Sequence, residues 1–573
     1  MKNEKDIQFV TPRDTVEVHL PDGQVISGPR GETAESFFSI LEDGDRPPIV
    51  GAVIDNKLQE LSQHITKDVQ ARPVDMGEAD GMRFYRRSLT FLLEIAFHEI
   101  YPHAILNIDH SISSGGYFCQ VYRRSPLSQE ELDRVEDKMR ELVEEDLKFE
   151  RLKMPLEKGI QYFKEQGNRD KVRLLTHRKK DYLTLYKVKE HIDYHHGYMV
   201  PSTGYLKWFD LTRMEDGFIL RFPRRATPTE LQPAPKYHTL LNVFQRYGAW
   251  LQRLGIDSVG ALNDAIAAGN VRKTILVSEA LHAQHIAEIA AQIEGRSNGL
   301  RVVLIAGPSS SGKTTFSKRL TIQLLARGIS PFPIGMDNYF VDRSETPLDE
   351  DGNYNFEALE AVNRQRLSSD LERLIEGERV QLPQYNFHTG KSEEGEIIQL
   401  RPGQIIILEG IHGLNPDLVP TLSEDQVFRI YASALTQLNL DRHNRVSTTD
   451  TRLIRRIVRD YEERGYNAQE TINRWESVRR GEKEYIFPYQ GNADAMFNSA
   501  LAYELSALKP LAEPILRQVP HGTPEWIEAK RLLAFLEWFI PLDAEMIPDN
   551  SILQEFIGNS NLRDFKIWEQ QGQ

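Results

Sequence analysis

The sequence predicts an α/β protein whose back half is a parallel sheet built around a phosphate-binding loop, with smaller α+β units ahead of it. Three observations carry this. Arg301–Lys318, RVVLIAGPSSSGKTTFSK, sets an apolar run (Val302–Ala306) directly before Gly307-Pro-Ser-Ser-Ser-Gly312-Lys313-Thr314, and helical periodicity follows through Leu325. Strand-like and helix-like segments then alternate to about residue 515, as a parallel α/β sheet requires. Ahead of the loop the pattern changes near 80, and Pro223, Pro228, Pro233 and Pro235 punctuate the chain as a linker would.

The elements follow in order. Val16, Val18 and Leu20 alternate with Glu17 and His19, and Pro21-Asp22-Gly23 turns the chain into Val25-Ile26, a hairpin. Thr33-Ala-Glu-Ser opens a short helix, and Ile49–Ile54 is a further strand. Leu89, Leu92, Leu93 and Ala96 fall at helical spacing. Ser128-Gln-Glu-Glu131 is a capping box, and the helix behind it carries Leu132, Val135, Met139 and Leu142 on one face. Mixed strands and turns are expected to about Phe222, and mostly helix over 237–294. Gly295-Arg-Ser-Asn-Gly299 breaks the chain before the nucleotide-binding strand. A charged helical tail with Phe535, Trp538 and Phe539 ends it. The expected division is 13–65, 66–225, a linker and helical region 226–298, the phosphate-loop domain 299–515, and a tail 516–573.

At 573 residues the chain is too long for one core. Hydrophobic content of 40% beside 27% charged residues describes an ordinary globular protein. The net charge of −14 argues against a broad nucleic-acid surface. The single cysteine, Cys119, excludes an intramolecular disulfide and fits a reducing compartment. MKNEKDIQFV lacks the apolar core of a signal peptide, and no apolar run approaches a membrane span. A cytoplasmic enzyme with no membrane contact is expected.

The phosphate loop carries its chemistry in its residue types. Glycines let backbone N–H groups turn inward around phosphate oxygens, and the following helix N-terminus adds a positive field. Lys313 would reach the β/γ-phosphates of ATP, and the Thr314 hydroxyl would ligate Mg²⁺. Gly307, Pro308, Ser309, Ser310, Ser311, Gly312, Lys313, Thr314 and Thr315 are therefore the expected nucleotide-binding residues. Pro333-Ile-Gly-Met-Asp337 ends a short apolar segment in a carboxylate, placed to accept a proton from an attacking hydroxyl. Gln404-Ile-Ile-Ile-Leu-Glu409 is a buried strand ending in an acid, the arrangement for a further Mg²⁺ ligand. In the arginine-dense helix that follows, Arg452, Arg456 and Arg459 share a face at i, i+4, i+7, suiting a lid that neutralises phosphoryl charge.

GPSSSGKTTFSKRL, MDNYF, YNFEALEAV, QLPQYNF, IIILEGIHGL and TRLIRRIVRDYEERG together resemble the uridine kinase/phosphoribulokinase family over about 300–510, and within it the uridine–cytidine kinases. The resemblance implies ATP-dependent phosphorylation of a nucleoside 5′-hydroxyl with Mg²⁺. By position it makes Asp337 the base and places Glu409 with Thr314 at the metal. Glu357 falls where that family holds the ribose hydroxyls with an Asp, and Arg456 on its partner. Arg459 and Arg464 match lid arginines, and Tyr385 and Phe387 match aromatics of the nucleoside pocket. The sequence departs from the family at Gly390, on which the family's pyrimidine-reading histidine falls while His388 lies two residues earlier, at Tyr466 in place of a lid arginine, and at Arg474 in place of a base-contacting glutamine. A phosphoribulokinase-like kinase of another small hydroxyl substrate is the alternative enzyme reading, and an ATP-switched RNA- or tRNA-sensing protein the alternative of another class.

The first 65 or so residues resemble the TGS domain, the ubiquitin-like module of threonyl-tRNA synthetases. YRRSLTFLLEIAFHEIYPHAIL, SISSGGYFCQVY and DYHHGYMVPSTGYLKWFDL extend the resemblance over about 80–222, to the editing-type domain that follows there. The H-x-x-x-H pair of that domain falls here on Arg87 and Phe91, and its C-x-x-x-H pair on His195 and Met199. A metal or general-base site needs several nitrogen or sulfur groups converging on one point. Asp193, His195 and His196 have no second ligand motif beside them in sequence, so neither deacylation nor bound zinc is expected of the front half. It is expected to be a non-catalytic binding or regulatory unit, with tRNA as a candidate partner and the whole chain as a homo-oligomer.

Overall fold

The computed structural model describes residues 11, 13–41, 46–112, 115–233, 239–350 and 352–565. Five strands make the first sheet, in the order Val25–Pro29, Thr15–His19, Val69–Asp75, Ile49–Ile54, Lys57–Gln59. The expected hairpin pairs Val18 with Ile26, and Thr33 caps the helix Ala34–Phe38 by accepting from Ser36 N–H. Phe37 and Phe38 drop from that helix onto Val16, Val18 and Ile54. The expected boundary at 65 is too early. Val69–Asp75 runs parallel to the first strand and antiparallel to the third, so the sheet is incomplete without it.

The second unit packs the helix Ala79–Ile100 against the helix Gln129–Glu144, whose capping box forms as read from the sequence. A four-stranded antiparallel sheet runs in the order Asp210–Met214, Gly217–Arg221, Gly116–Tyr122, Ile105–Ile112, and a three-stranded one in the order His191–Asp193, Tyr182–Val188, Glu150–Pro155. Two helices, Leu156–Glu165 and Arg169–Thr176, stand where only strands and turns are expected. Their Phe163, Leu174 and Leu175 join a core shared with the back half.

The back half is the α/β unit. Its sheet order is Pro331–Gly335, Ile405–Glu409, Val302–Ala306, Val427–Ser433, Ala495–Asn498, with every neighbouring pair parallel. Val302–Ala306 is buried along its whole length, which explains its unbroken apolar run. The register pairs Glu409 with Ile305 on one side and Gly335 on the other, so the C-terminal ends of three strands finish level. Asp337, Glu409 and the phosphate loop therefore emerge at one edge, where open α/β sheets bind ligands.

Two expected boundaries divide this core. The helices Thr239–Leu254, Val259–Ala267 and Val271–Gly295 are not a linker: Tyr247, Leu251, Ile275, Ile289 and Ile293 pack into one cluster with Val303, Ile305 and Phe316. The C-terminal segment is not a free tail either. Phe535, Trp538 and Phe539, from and just after the helix Pro524–Leu536, lie in that same cluster with Ile552 and Phe556.

A buried loop after Val427–Ser433 bolts the halves together. Asn439 donates to the Ile108 carbonyl at 3.0 Å, and Ile108 N–H donates to the Arg442 carbonyl at 2.8 Å. Asn444 receives His196 N–H at 3.0 Å and donates to the Tyr194 carbonyl at 2.9 Å. Among the described residues, no helix is long and apolar enough to cross a membrane.

Candidate functional site at the phosphate loop

The loop turns as its glycines demand. A Cβ at Gly307 would stand 1.9 Å from the Ala432 carbonyl oxygen, and Gly312 takes a left-handed φ of +82°. Gly312 also precedes the helix Lys313–Ala326 without giving it a side-chain cap, so its first N–H groups open toward the site. The Lys313 ammonium folds back over the loop onto the Pro308 carbonyl at 3.2 Å. The hydroxyls of Ser310 and Ser311 are buried without a hydrogen-bond partner.

Three acids converge on Lys313. Thr314 Oγ1 donates to Glu409 Oε2 at 3.1 Å. Burial pushes the Glu409 carboxyl up to about 7 against the pull of Lys313, with Asp337 and Glu555 adding to the rise. Burial likewise raises Asp337, which Lys313, Arg464 and Arg459 draw back down. Glu357 is pushed up to about 7 by burial and by Glu482, against Arg456 and Lys313. Its Oε2 is buried with no partner. Adjacent ligands of an octahedral Mg²⁺, at about 2.1 Å each, stand about 3 Å apart, so the Thr314–Glu409 pair fits that ion's geometry and its preference for oxygen.

The arginine helix, Thr448–Arg464, divides differently from the expected stripe. Arg452 does not face the site. It is fully buried, ion-paired with Glu482, and donates from Nε to the Ser309 carbonyl at 2.9 Å. Arg455 is buried too, paired with Glu504 and reaching the Ser310 carbonyl at 3.5 Å. Arg456 donates to Ser309 Oγ at 2.9 Å and to Asp460 at 3.1 Å. Burial and the neighbouring Arg464 lower Arg459 to about 10, and its Nε makes no hydrogen bond, lying 3.9 Å from Asp460 Oδ1. Arg464 is half exposed, 3.4 Å from Asp460. Arg456, Arg459 and Arg464 thus stand by the loop, and Arg452 braces it from behind.

Tyr385 and Phe387 sit on the hairpin Val380–Asn386 and Lys391–Ile398 and its turn. Tyr385 is buried edge-on against Phe340 at 5.6 Å with its hydroxyl unpartnered, while Phe387, 5.1 Å from it, is exposed. Gly390 closes that turn, with its carbonyl bound by Arg343 N–H at 2.8 Å. Arg474 does not enter the site: it is exposed and stacks over Tyr466, 4.4 Å from the ring centre. Two of the three departures from the family pattern, Tyr466 and Arg474, thus pair with each other.

The C-terminal segment reaches the loop, which the sequence reading missed. Glu555 accepts from Thr315 N–H at 3.0 Å and stands 3.7 Å from Arg459. Lys318 donates to the carbonyls of Leu562 and Arg563 at 2.6 and 2.9 Å. Together they enclose a cavity of about 200 Å³ lined by Thr314, Lys318, Arg459, Arg464, Glu555 and Arg563, among others. No motif marks Glu555, and 240 residues separate it from Thr315.

In the second unit the positions of the synthetase pairs are filled. The Arg87 guanidinium donates to the Tyr198 carbonyl, and Phe91 packs on the His195 ring at 4.9 Å. Met199 is buried, its N–H bonded to Glu60 at 3.0 Å.

Residues 302–505 match the model of the Phosphoribulokinase / Uridine kinase family. That part of the chain is a kinase-family domain with a P-loop sheet. The N-terminal part is similar to threonine–tRNA ligases: 31% identical over 202 residues to that of Coxiella burnetii and 30% over 202 residues to that of Aromatoleum aromaticum. Each match covers 35% of this chain and 31% or 32% of the ligase, so the chain spans about a third of the length of these curated relatives. Among solved structures, one described as a possible uridine kinase from Bacillus stearothermophilus is 20% identical, covering 36% of this chain and 100% of that one at a TM-score of 0.24. A D-glycerate 3-kinase from Cryptococcus neoformans is 13% identical, covering 47% of this chain and 87% of that one at a TM-score of 0.20.

Proposed function

We propose that the back half transfers the γ-phosphoryl group of ATP to the 5′-hydroxyl of a nucleoside. The observation that carries this is the meeting of Lys313 with Asp337 and Glu409, at or just past level strand ends beside the phosphate loop, and with Glu357 from a neighbouring turn. Lys313 and the loop N–H groups hold the β/γ-phosphates, and Arg459 and Arg464 neutralise the charge that spreads over the transferred group. Asp337 takes the hydroxyl proton, a role its raised affinity for protons suits. Glu357 and Arg456 hold the ribose hydroxyls, and Phe387 offers the base an exposed aromatic face. Thr314 and Glu409 would hold Mg²⁺, whose charge offsets that of the phosphate oxygens when it is bound.

Arg474, stacked outside on Tyr466, leaves the base without a named polar side chain to read it, and this favours one second reading: another small hydroxyl substrate, as in a phosphoribulokinase-like enzyme. A panel of nucleosides, ribulose phosphate and glycerate with ATP and Mg²⁺, read as ADP release and product mass, separates the two. Turnover of a nucleoside to its monophosphate supports the proposal, and turnover of the others alone refutes it.

A further inference from the structure

We infer that Glu94, Asp193, His195 and His443 form a binding site for a zinc-like divalent metal at the junction of the two halves. The argument against zinc in the front half was the want of a second ligand motif near His195, and the fold supplies one from two directions. Glu94 lies one turn beyond Phe91 on the helix Ala79–Ile100. His443 comes from the kinase-half loop, 250 residues from Asp193. Donor atoms of Glu94, Asp193 and His195 all lie within 4.8 Å of one another. His443 Nδ1 is 3.0 Å from Glu94 Oε2 and 3.1 Å from Asp193 Oδ2, and His195 Nε2 is 3.4 Å from Glu94 Oε2. Ligands about 2.0–2.1 Å from a tetrahedral ion stand about 3.3 Å apart, so these separations suit three of the six edges of such a tetrahedron.

Two further observations call for an ion. Glu94 Oε1 and His195 Nε2 are buried with no hydrogen-bond partner, on residues only 8% and 3% exposed. Such orphaned groups are costly unless something binds them. The charge count also falls short. Glu94, Asp193 and Asp441 carry three carboxylates into this interior against one ammonium, Lys171, which lies 2.6 Å from Asp193 Oδ1 and 3.6 Å from Asp441 Oδ1. A proton on His443 between the two carboxylates would offset one of the two charges left over, and a divalent cation bound to neutral imidazoles would offset both. Lys171 engages the Asp193 oxygen that faces away from His443, so Oδ2 stays available. His196 is outside the set: Trp538 Nε1 donates to its Nδ1 at 3.3 Å.

Four protein ligands and no open position make a closed, structural site. Its function is to clamp the loop bearing His443 onto the second unit. That loop continues from Val427–Ser433, whose Ala432 carbonyl packs against Gly307, so the clamp bears on the phosphate loop. The rival occupant is a proton on His443 shared between the two carboxylates. Full-length chain stripped with chelator, given one equivalent of Zn²⁺ and desalted, distinguishes them by metal content. About one zinc per chain is expected in the unsubstituted protein and in His196→Ala, and less than about a tenth as much in His443→Ala and His195→Ala. Because those variants can misfold, Co²⁺ in the unsubstituted chain is the second probe, with the visible ligand-field bands of a tetrahedral site expected. A metal-free chain after desalting, zinc retained equally in His443→Ala and His195→Ala, or octahedral Co²⁺ bands would overturn the inference.

Discussion

Glu555 is the sharpest test of how the C-terminal segment bears on nucleotide binding. Its carboxylate sits 3.0 Å from Thr315 N–H, the third helical N–H after the phosphate loop, where an ATP phosphate oxygen would also bind. Carboxylate and phosphate cannot share that donor, and two like charges about 4 Å apart at an effective dielectric of 20 repel by about 4 kcal/mol. The carboxylate must therefore swing away when ATP enters. A hydrogen bond to a charged acceptor contributes about 1.5–3 kcal/mol net, and the 3.7 Å contact with Arg459 adds little. Part of that returns when the freed carboxylate is rehydrated, leaving a latch of about 1–2 kcal/mol. A site open only that fraction of the time binds about 5–30-fold more weakly than its intrinsic affinity. Glu555→Ala should thus tighten the apparent Kd for ATP by about 5–30-fold, and Glu555→Gln, which keeps a neutral acceptor, by less. Displacement of a fluorescent nucleotide at fixed ionic strength measures it, since charge effects vary with salt. Unchanged or weaker ATP binding in Glu555→Ala would refute the latch and make Glu555 a nucleotide contact.

Lys313→Ala should abolish phosphoryl transfer while leaving the circular dichroism and unfolding midpoint of the chain near the unsubstituted values, because the lysine contributes charge to the phosphates rather than packing. Asp337→Asn should lower kcat by about 10²–10⁴-fold with little change in substrate KM; an effect confined to KM would make Asp337 a binding residue. Glu409 must lose its proton to bind Mg²⁺, and its carboxyl lies at about 7, so Mg²⁺ affinity should fall about tenfold per unit below that pH and level off above it. Glu409→Gln should remove the slope; a slope that persists places the titration elsewhere. By the same shift the metal-free protein binds an extra proton when folded, a stabilisation present below about 4.5 and lost as pH rises through about 7. The full chain should not deacylate Ser-tRNA, because Arg87 and Phe91 fill the positions of the catalytic pair; steady deacylation would overturn that reading.

What was legible in the sequence is local. The phosphate loop, the buried strands ending at Glu409 and near Asp337, and the capping box at Ser128 each depend on residues within a few positions of one another. Their structures follow from short-range rules. What was not legible depends on pairs far apart in the chain. Val69–Asp75 joins the first sheet through a parallel pairing no turn announces. The helices before the loop are legible as helices but fall outside the expected kinase domain, because their apolar faces have no visible partner in sequence, and that partner is the kinase sheet itself. Glu555, Glu94 and His443 carry no motif at all.

The arginine helix shows why charge spacing alone misassigned one member of its stripe. An i, i+4, i+7 face is informative only when the helix has one buried side, and Thr448–Arg464 is covered on more than one. An arginine inside a protein needs a carboxylate partner, and those of Arg452 and Arg455 come from Glu482 and Glu504, 30 and 49 residues further on. Each arginine also donates to a loop carbonyl, Arg452 to Ser309 and Arg455 to Ser310, and Arg455 donates to Ser499 as well. With those carbonyls held from behind, the peptide planes that carry them keep a fixed orientation at the edge of the phosphate site. Glu482 adds a second brace by accepting from Ser309 N–H at 3.2 Å. On the proposed function the helix would act on ATP in two ways at once: Arg459 by charge at the front, Arg452 and Arg455 by fixing the loop that Lys313 and the phosphates must share.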